Sequence, residues 1–257
     1  MLRALITCAG QVLVVVAATV ALMSAGLVTR SRNHLAFWTT SWSRTILLLS
    51  GVLLTVEGAE KANAQGPCFF VGNHPGALDI PVLFAALRGR VRFLAKKSLF
   101  KIPLFGWVLN WYGFVPIDRG RPRVTLRSLE RLVEELRRHP ESFATFPEGT
   151  RSPDGKLLPF RKGSLKICRE AGMPVVPFAI EGTNRVYTRG RIRITPGPVR
   201  ISFGEPIDAA AVAAMSTQEL HDRVRSDVAA LLRQPVHSAA VDVSVGRSMP
   251  ILLADET

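Results

Sequence analysis

The segment that decides the fold of this chain is PCFFVGNHPGALD, residues 67–79. Residues 67–71 form a short apolar run that ends at Gly72, which predicts a buried strand followed by a turn. His74 follows this strand directly. Open α/β sheets usually carry their binding and catalytic groups at the carboxyl ends of the strands. The segment therefore predicts an α/β fold with His74 at the functional edge of its sheet.

The spacing of His74 and Asp79 fits a general base and the carboxylate that orients it. If a turn brings the two side chains together, Asp79 accepts a hydrogen bond from one ring nitrogen and fixes the tautomer of His74. The other ring nitrogen can then take a proton from an attacking hydroxyl. In a chain with five histidines, such a pair also arises by coincidence, so the pair alone is a weak signal.

A second segment, FPEGTRS at residues 146–152, suits the binding of an anion. Gly149 lets backbone amides approach a phosphate, and the guanidinium of Arg151 can hold phosphate oxygens in a bidentate fork. Taken alone, the segment equally fits an ordinary Pro-Gly loop with a solvated arginine. Its position after the His74 segment favours the binding role.

Four motifs in the same order make this chain similar to the 1-acylglycerol-3-phosphate acyltransferase family. Members of that family make phosphatidic acid from lysophosphatidic acid and an acyl thioester. The motifs lie at residues 73–79, 113–119, 146–151 and 176–180, with a further familial stretch at 95–107. The resemblance covers roughly residues 65–205, and the ordered set is more specific than any single motif. Two residues depart from the family pattern: Gly76 replaces a common serine and Pro116 a common phenylalanine.

The resemblance implies a fold, a reaction and a set of site residues. The fold is the glycerolipid acyltransferase fold, an α/β mixed sheet flanked by helices. The reaction moves an acyl chain from acyl-CoA or acyl carrier protein, as co-substrate, to the sn-2 hydroxyl of lysophosphatidic acid, without a cofactor or metal. His74 and Asp79 are then catalytic. The implied substrate-binding residues are Lys97, Arg119, Glu148, Gly149, Thr150 and Arg151. Glu148 has an alternative role as a structural acceptor for backbone amides or for Arg151.

Two other functions remain open. One is acylation of a different lyso-lipid, such as a lyso-ornithine lipid. The other is a non-enzymatic basic protein that binds a membrane surface or nucleic acid, as a formal charge of +13 would allow. The Glu-Gly-Thr-Arg motif opposes the second, because charge alone does not require it. We therefore expect a lysophospholipid and membrane lipids as partners, and no nucleic acid.

The N-terminal region predicts a membrane anchor. Residues 4–28 are nearly all apolar and as a helix would reach about 37 Å, enough to span a bilayer. Residues 45–56 predict a shorter interfacial or re-entrant helix. A cleaved signal peptide is the alternative for the first run. We expect membrane-anchoring helices over 1–58, a catalytic domain over 59–234 and a loosely ordered tail over 235–257. The protein would lie at the cell membrane with its catalytic domain facing the cytoplasm.

The remaining chain alternates strand and helix signals, as α/β domains do. The predicted strands are 67–71, 91–95, 142–146, 175–180, 191–195 and 199–203. The predicted helices are 124–138, 163–171 and one opened by a capping box at 216–219. The three cysteines, Cys8, Cys68 and Cys168, stand in apolar contexts and are predicted to be reduced, buried thiols.

Overall fold

The computed structural model describes residues 17, 20, 24, 32–64, 66–103, 105–117, 122–187, 194–233 and 241–242. The strands are β1 (Val52–Glu57), β2 (Phe69–Gly72), β3 (Arg92–Lys96), β4 (Val115–Ile117), β5 (Phe143–Thr145), β6 (Val175–Glu181), β7 (Gly197–Phe203) and β8 (Val241–Asp242). The helices are α1 (Arg32–Leu49), α2 (Ala59–Asn63), α3 (Asp79–Ala86), α4 (Phe105–Trp111), α5 (Pro122–Arg138), α6 (Lys162–Ala171), α7 (Thr183–Val186), α8 (Ala209–Ala214) and α9 (Thr217–Arg233). A 3-10 helix covers Lys97–Lys101.

The strands form one mixed sheet in the order β4-β3-β5-β2-β6-β7-β1-β8. The five strands from β4 to β6 run parallel to one another. At the other side of the sheet, β7 is antiparallel to β6, β1 is parallel to β7, and β8 is antiparallel to β1. The carboxyl ends of the five parallel strands therefore meet at one edge. The predicted mixed α/β sheet with flanking helices is confirmed.

Both faces of the sheet are covered by a hydrophobic core. Phe70 belongs to one buried cluster that includes Phe84 of α3, whereas Phe69 belongs to a second that includes Leu165 of α6 and Leu220 of α9. Since successive residues of a strand point to opposite faces, a strand buried on both sides needs a continuous apolar run. This explains why the segment CFFV at residues 68–71 has no polar alternation.

Most predicted elements appear within about two residues of the expected bounds. The strands predicted at 67–71, 91–95, 142–146, 175–180 and 199–203 correspond to β2, β3, β5, β6 and β7. The helices predicted at 124–138 and 163–171 correspond to α5 and α6. The capping box of α9 is formed, with the Ser216 amide donating to Glu219 Oε2 at 2.7 Å and the Glu219 amide donating to Ser216 Oγ at 3.2 Å. Residues 191–193 of the remaining predicted strand lie outside the described residues.

The helix predicted at residues 45–56 is wrong in its second half. Helix α1 ends at Leu49, the chain turns at Gly51 with φ 64°, and β1 follows in parallel register with β7. A short apolar run does not by itself distinguish a helix from a strand, and here the sheet supplies the partner. Strand β1 thus belongs to the sheet rather than to a helical anchor over 1–58. Two residues of the tail predicted over 235–257 form β8, which pairs with Thr55 and Val56, and the rest of that tail lies outside the described residues.

The predicted anchor at residues 4–28 lies outside the described residues except for positions 17, 20 and 24. Within the described part of the chain, every helix is too short or too polar to cross a membrane.

Candidate active site

Four loops meet at the edge where the parallel strands end. His74 follows β2, Lys97 follows β3, Phe146 follows β5 and Thr183 follows β6. The end of β2 is tied to β6 by Asn73, whose side chain donates to the Ile180 carbonyl at 2.9 Å and accepts from the Ile180 amide at 2.8 Å. This buried bridge fixes the position from which His74 leaves the sheet.

His74 and Asp79 are in direct contact. The two-residue turn before α3 brings His74 Nδ1 to 2.6 Å from Asp79 Oδ2, and the Gly76 amide donates to the same oxygen at 2.9 Å. Asp79 is fully buried, whereas the His74 side chain remains 21% exposed. His74 Nε2 makes no hydrogen bond with a described residue. The predicted pairing therefore holds, and it leaves one ring nitrogen available to an incoming hydroxyl.

An aromatic ring holds the imidazole from one side. Phe146 stacks on His74 with ring centroids 4.2 Å apart and an interplanar angle of 17°. Phe146 in turn contacts Phe93 and Phe178 of the core. This role was not predictable from the sequence, because nothing in the motif shows that its first residue faces the histidine.

The second motif is hydrogen-bonded to the first. The Ser152 amide donates to the His74 carbonyl at 2.8 Å, and the His74 amide donates to Glu148 Oε2 at 3.3 Å. Glu148 Oε1 accepts from the Leu158 amide at 3.2 Å. Burial raises the pKa of the Glu148 carboxyl, while these two amide donors oppose the rise. Both oxygens of Glu148 are thus used by backbone amides, which favours its structural alternative over direct contact with substrate.

Several backbone amides near the His-Asp turn and in the Gly149 loop already have partners, so they are not free to stabilise an oxyanion. The His74 amide donates to Glu148, the Gly76 amide to Asp79, and the Gly149 amide to the Phe146 carbonyl at 3.0 Å. Gly149 adopts φ 68°, the left-handed conformation that such a tight turn requires. The amides of Thr150 and Arg151 donate to no described residue. They are two of the backbone donors of this loop that remain for a ligand.

Two cationic side chains lie at the loop, Arg151 within it and Arg161 beside it. Arg151 is half-buried, Thr150 beside it is exposed, and Lys97 is exposed at the end of β3. Arg161 lies against Gly149, such that a methyl group built on Gly149 would be 3.0 Å from Arg161 Nε. Arg161 was not identified from the sequence, because it is ten residues beyond Arg151 and only the folded loop brings it back. Arg119 lies outside the described residues.

Comparisons with known proteins show the family to which this chain belongs. The family profile described as Acyltransferase matches residues 53–181. A chloroplastic 1-acyl-sn-glycerol-3-phosphate acyltransferase of Brassica napus is 38% identical over 59% of this chain and 44% of its own length. A 1-acyl-sn-glycerol-3-phosphate acyltransferase of Saccharomyces cerevisiae is 26% identical over 82% of this chain and 71% of its own length. The chain spans about half the length of the plant relatives that it matches.

A solved structure extends the similarity to nearly the whole chain. The crystal structure of PlsC, the 1-acyl-sn-glycerophosphate (LPA) acyltransferase of Thermotoga maritima, superposes with a TM-score of 0.75 at 26% identity. The superposition covers 92% of this chain and 99% of PlsC. Since the family profile matches half of the chain, this protein belongs to the Acyltransferase family.

Proposed function

We propose that this protein transfers an acyl chain from an acyl thioester to the sn-2 hydroxyl of lysophosphatidic acid, giving phosphatidic acid. The observation that carries the proposal is the 2.6 Å contact between His74 and a fully buried Asp79, beside a loop with Arg151 and Arg161. The named activities of the Brassica, yeast and Thermotoga relatives support the same acceptor.

In this mechanism, Nε2 of His74 removes the proton from the acceptor hydroxyl as its oxygen attacks the thioester carbonyl. Asp79 keeps the proton of the imidazole on Nδ1 and stabilises the imidazolium that forms. The tetrahedral intermediate then collapses, the carbon–sulfur bond breaks, and the imidazolium returns its proton to the leaving thiolate. The Thr150 and Arg151 amides are candidate donors to the oxyanion. The products are the new ester and the free thiol.

The acceptor phosphate is assigned to the loop at residues 146–152. A phosphomonoester carries close to two negative charges at neutral pH, and arginine binds such groups through paired hydrogen bonds. We assign Arg151 to this phosphate, with Arg161, Lys97 and Arg119 as further cations. Glu148 is assigned to hold the loop in place, because its carboxylate accepts the His74 and Leu158 amides.

The setting of the enzyme is part of the proposal. The apolar residues 4–28 would anchor the protein in the cell membrane, where its lyso-lipid acceptor resides, with the catalytic domain facing the cytoplasm. The anionic carriers of both candidate donors, acyl-CoA and acyl carrier protein, suit the net charge of +13.

The proposal is tested with detergent-solubilised, full-length protein, lysophosphatidic acid and a long-chain acyl-CoA, and phosphatidic acid formation is measured. An acceptor panel that includes a lyso-ornithine lipid and neutral lysophospholipids is run in parallel. Arg151→Ala should raise the KM for lysophosphatidic acid about tenfold or more, because it removes the free energy of one charge-assisted hydrogen bond to the phosphate. Arg225→Ala, on the exposed face of α9, is the control and should leave this KM unchanged. Unchanged acceptor kinetics in Arg151→Ala would remove this residue from the phosphate site. Faster turnover of another lyso-lipid would replace the acceptor.

A further inference from the structure

The carboxylate of Asp79 has a partner from a distant part of the chain. Thr183, the first residue of α7, donates its hydroxyl proton to Asp79 Oδ1 at 2.5 Å. Both residues are 0% exposed. The resemblance to the acyltransferase family did not single out this threonine. The bond joins residues 104 positions apart and links the loop after β6 to the first turn of α3.

This bond determines which way the carboxylate faces. Oδ2 of Asp79 accepts from His74 Nδ1 and from the Gly76 amide, whereas Oδ1 accepts from Thr183. Rotating the carboxylate would break the Thr183 bond and at least one of the bonds at Oδ2. In a fully buried site no water replaces the lost partner, so the three donors together hold a single orientation.

The position of Thr183 is set by close packing against the His-Asp turn. A methyl group built on Gly76 would lie 2.6 Å from Thr183 Oγ1 and 2.7 Å from the Thr183 carbonyl carbon. Only a residue without a side chain allows this approach without a shift of the backbone. Gly76, which replaces the serine common in the family, therefore lies where Thr183 reaches Asp79.

We propose that Thr183 is a positioning residue for acyl transfer, which acts by holding Asp79 in the orientation that directs Nδ1 of His74. The expected change in kcat rests on the proposed function, whereas the expected effect on the orientation of the His-Asp pair does not depend on any substrate. Thr183 does not contact the reacting groups itself. Its contribution passes through Asp79 to the imidazole.

The matched variants are Thr183→Val, which keeps the branched shape and removes the hydroxyl, and Thr183→Ser, which keeps the hydroxyl. Loss of one hydrogen bond to a charged group should lower kcat of Thr183→Val about 10- to 100-fold. The KM for lysophosphatidic acid should stay within about twofold, because the phosphate site is untouched. Thr183→Ser should recover most of kcat. Thr55→Val, in β1 three strands from β2, makes the same chemical change away from the site and should be neutral.

A second readout does not depend on activity. In full-length protein labelled with ¹⁵N-histidine, the His74 Nδ1 proton that bonds Asp79 should give a downfield proton resonance, assigned by its absence in His74→Ala. Thr183→Val should shift or broaden this resonance, and Thr183→Ser should retain it. Circular dichroism and thermal unfolding confirm that each variant is folded.

The outcomes separate the two proposals. If the wild type makes no phosphatidic acid, the proposed acceptor reaction fails, and the resonance still tests Thr183. If Thr183→Val is folded and retains both kcat and the His74 resonance, the positioning role is overturned. Equal impairment of Thr183→Ser and Thr183→Val would also overturn it, because the hydroxyl would then not be the acting group.

Discussion

Replacing Asp79 by asparagine should remove most activity while leaving the fold intact. The asparagine oxygen can still accept from His74 Nδ1 and the Gly76 amide, and the Thr183 hydroxyl can reverse to accept from the new NH2 group. What is lost is the negative charge, 2.6 Å from His74 Nδ1, that stabilises the imidazolium. The corresponding change in Ser-His-Asp hydrolases costs about 10⁴ in kcat. General-base catalysis itself contributes about 10² to 10⁴. We therefore expect kcat to fall about 10² to 10⁴-fold.

Stability should respond much less than activity to this change. Asp79 is fully buried, so the loss of its charge also removes the cost of keeping a carboxylate away from water. The free energy of unfolding should change by about 1 kcal/mol or less. Initial rates over a range of lysophosphatidic acid concentrations, with thermal unfolding of the same samples, measure both quantities. A folded Asp79→Asn protein with kcat within about tenfold of the wild type would refute the assigned role of Asp79.

Two further predictions concern stability and thiol chemistry. The side chain of Arg200 is only 9% exposed, forms a salt bridge with Glu181 and lies 3.4 Å from Glu57. Arg200→Met should therefore lower the free energy of unfolding by about 3 kcal/mol. This value is at the lower end of the range for breaking a buried ion pair, because Glu181 is partly exposed. Denaturant unfolding measures this loss, and kcat of the folded protein should not change. Burial raises the pKa of Cys68 to about 12 and also raises the pKa of Cys168. In a variant that lacks Cys8, both thiols should therefore resist alkylation at pH 8 while the protein is folded, and both should react once it is unfolded.

Each of these predictions has a result that would contradict it. A change below about 1 kcal/mol in Arg200→Met would mean that solvent screens the pair as at an open surface. Arg225→Met, on exposed α9, is the matched control for the loss of an arginine. Rapid alkylation of either thiol in the folded state would show that the core around it opens readily.

The central strand and the contact between His74 and Asp79 were predictable for a physical reason. Residues 69–71 are buried on both faces of the sheet, and a continuous apolar run is the direct sequence signal of such a strand. Spacing alone would not have identified His74 and Asp79, since His237 and Asp242 have the same separation. The preceding strand distinguished the first pair, because it places His74 where the parallel strands end.

The partners of the pair could not be predicted in the same way. Thr183 reaches Asp79, and Asn73 reaches Ile180, only because β2 and β6 lie side by side in one register. Sequence shows that both strands exist, but not that they are neighbours. The role of Phe146 depends on the same sheet order, which brings β5 next to β2. Long-range pairing therefore supplied what local patterns could not.

Sequence patterns were wrong or left two roles open where they fit two structures equally well. The apolar residues 52–56 satisfy both a short helix and a strand, and the sheet partner β7 decided for β1. Glu148 belongs to a motif that resembles a binding loop, yet its carboxylate is buried and accepts two amides. In both cases the deciding quantity was burial against a distant element.

The most direct test of the proposed chemistry compares the wild type with His74→Ala and His74→Gln in phosphatidic acid formation from lysophosphatidic acid and acyl-CoA. The wild type should form product, and both variants should lose about 10² to 10⁴-fold or more in kcat while remaining folded. Product formation at the wild-type rate by either folded variant would contradict the assignment of His74 as the general base.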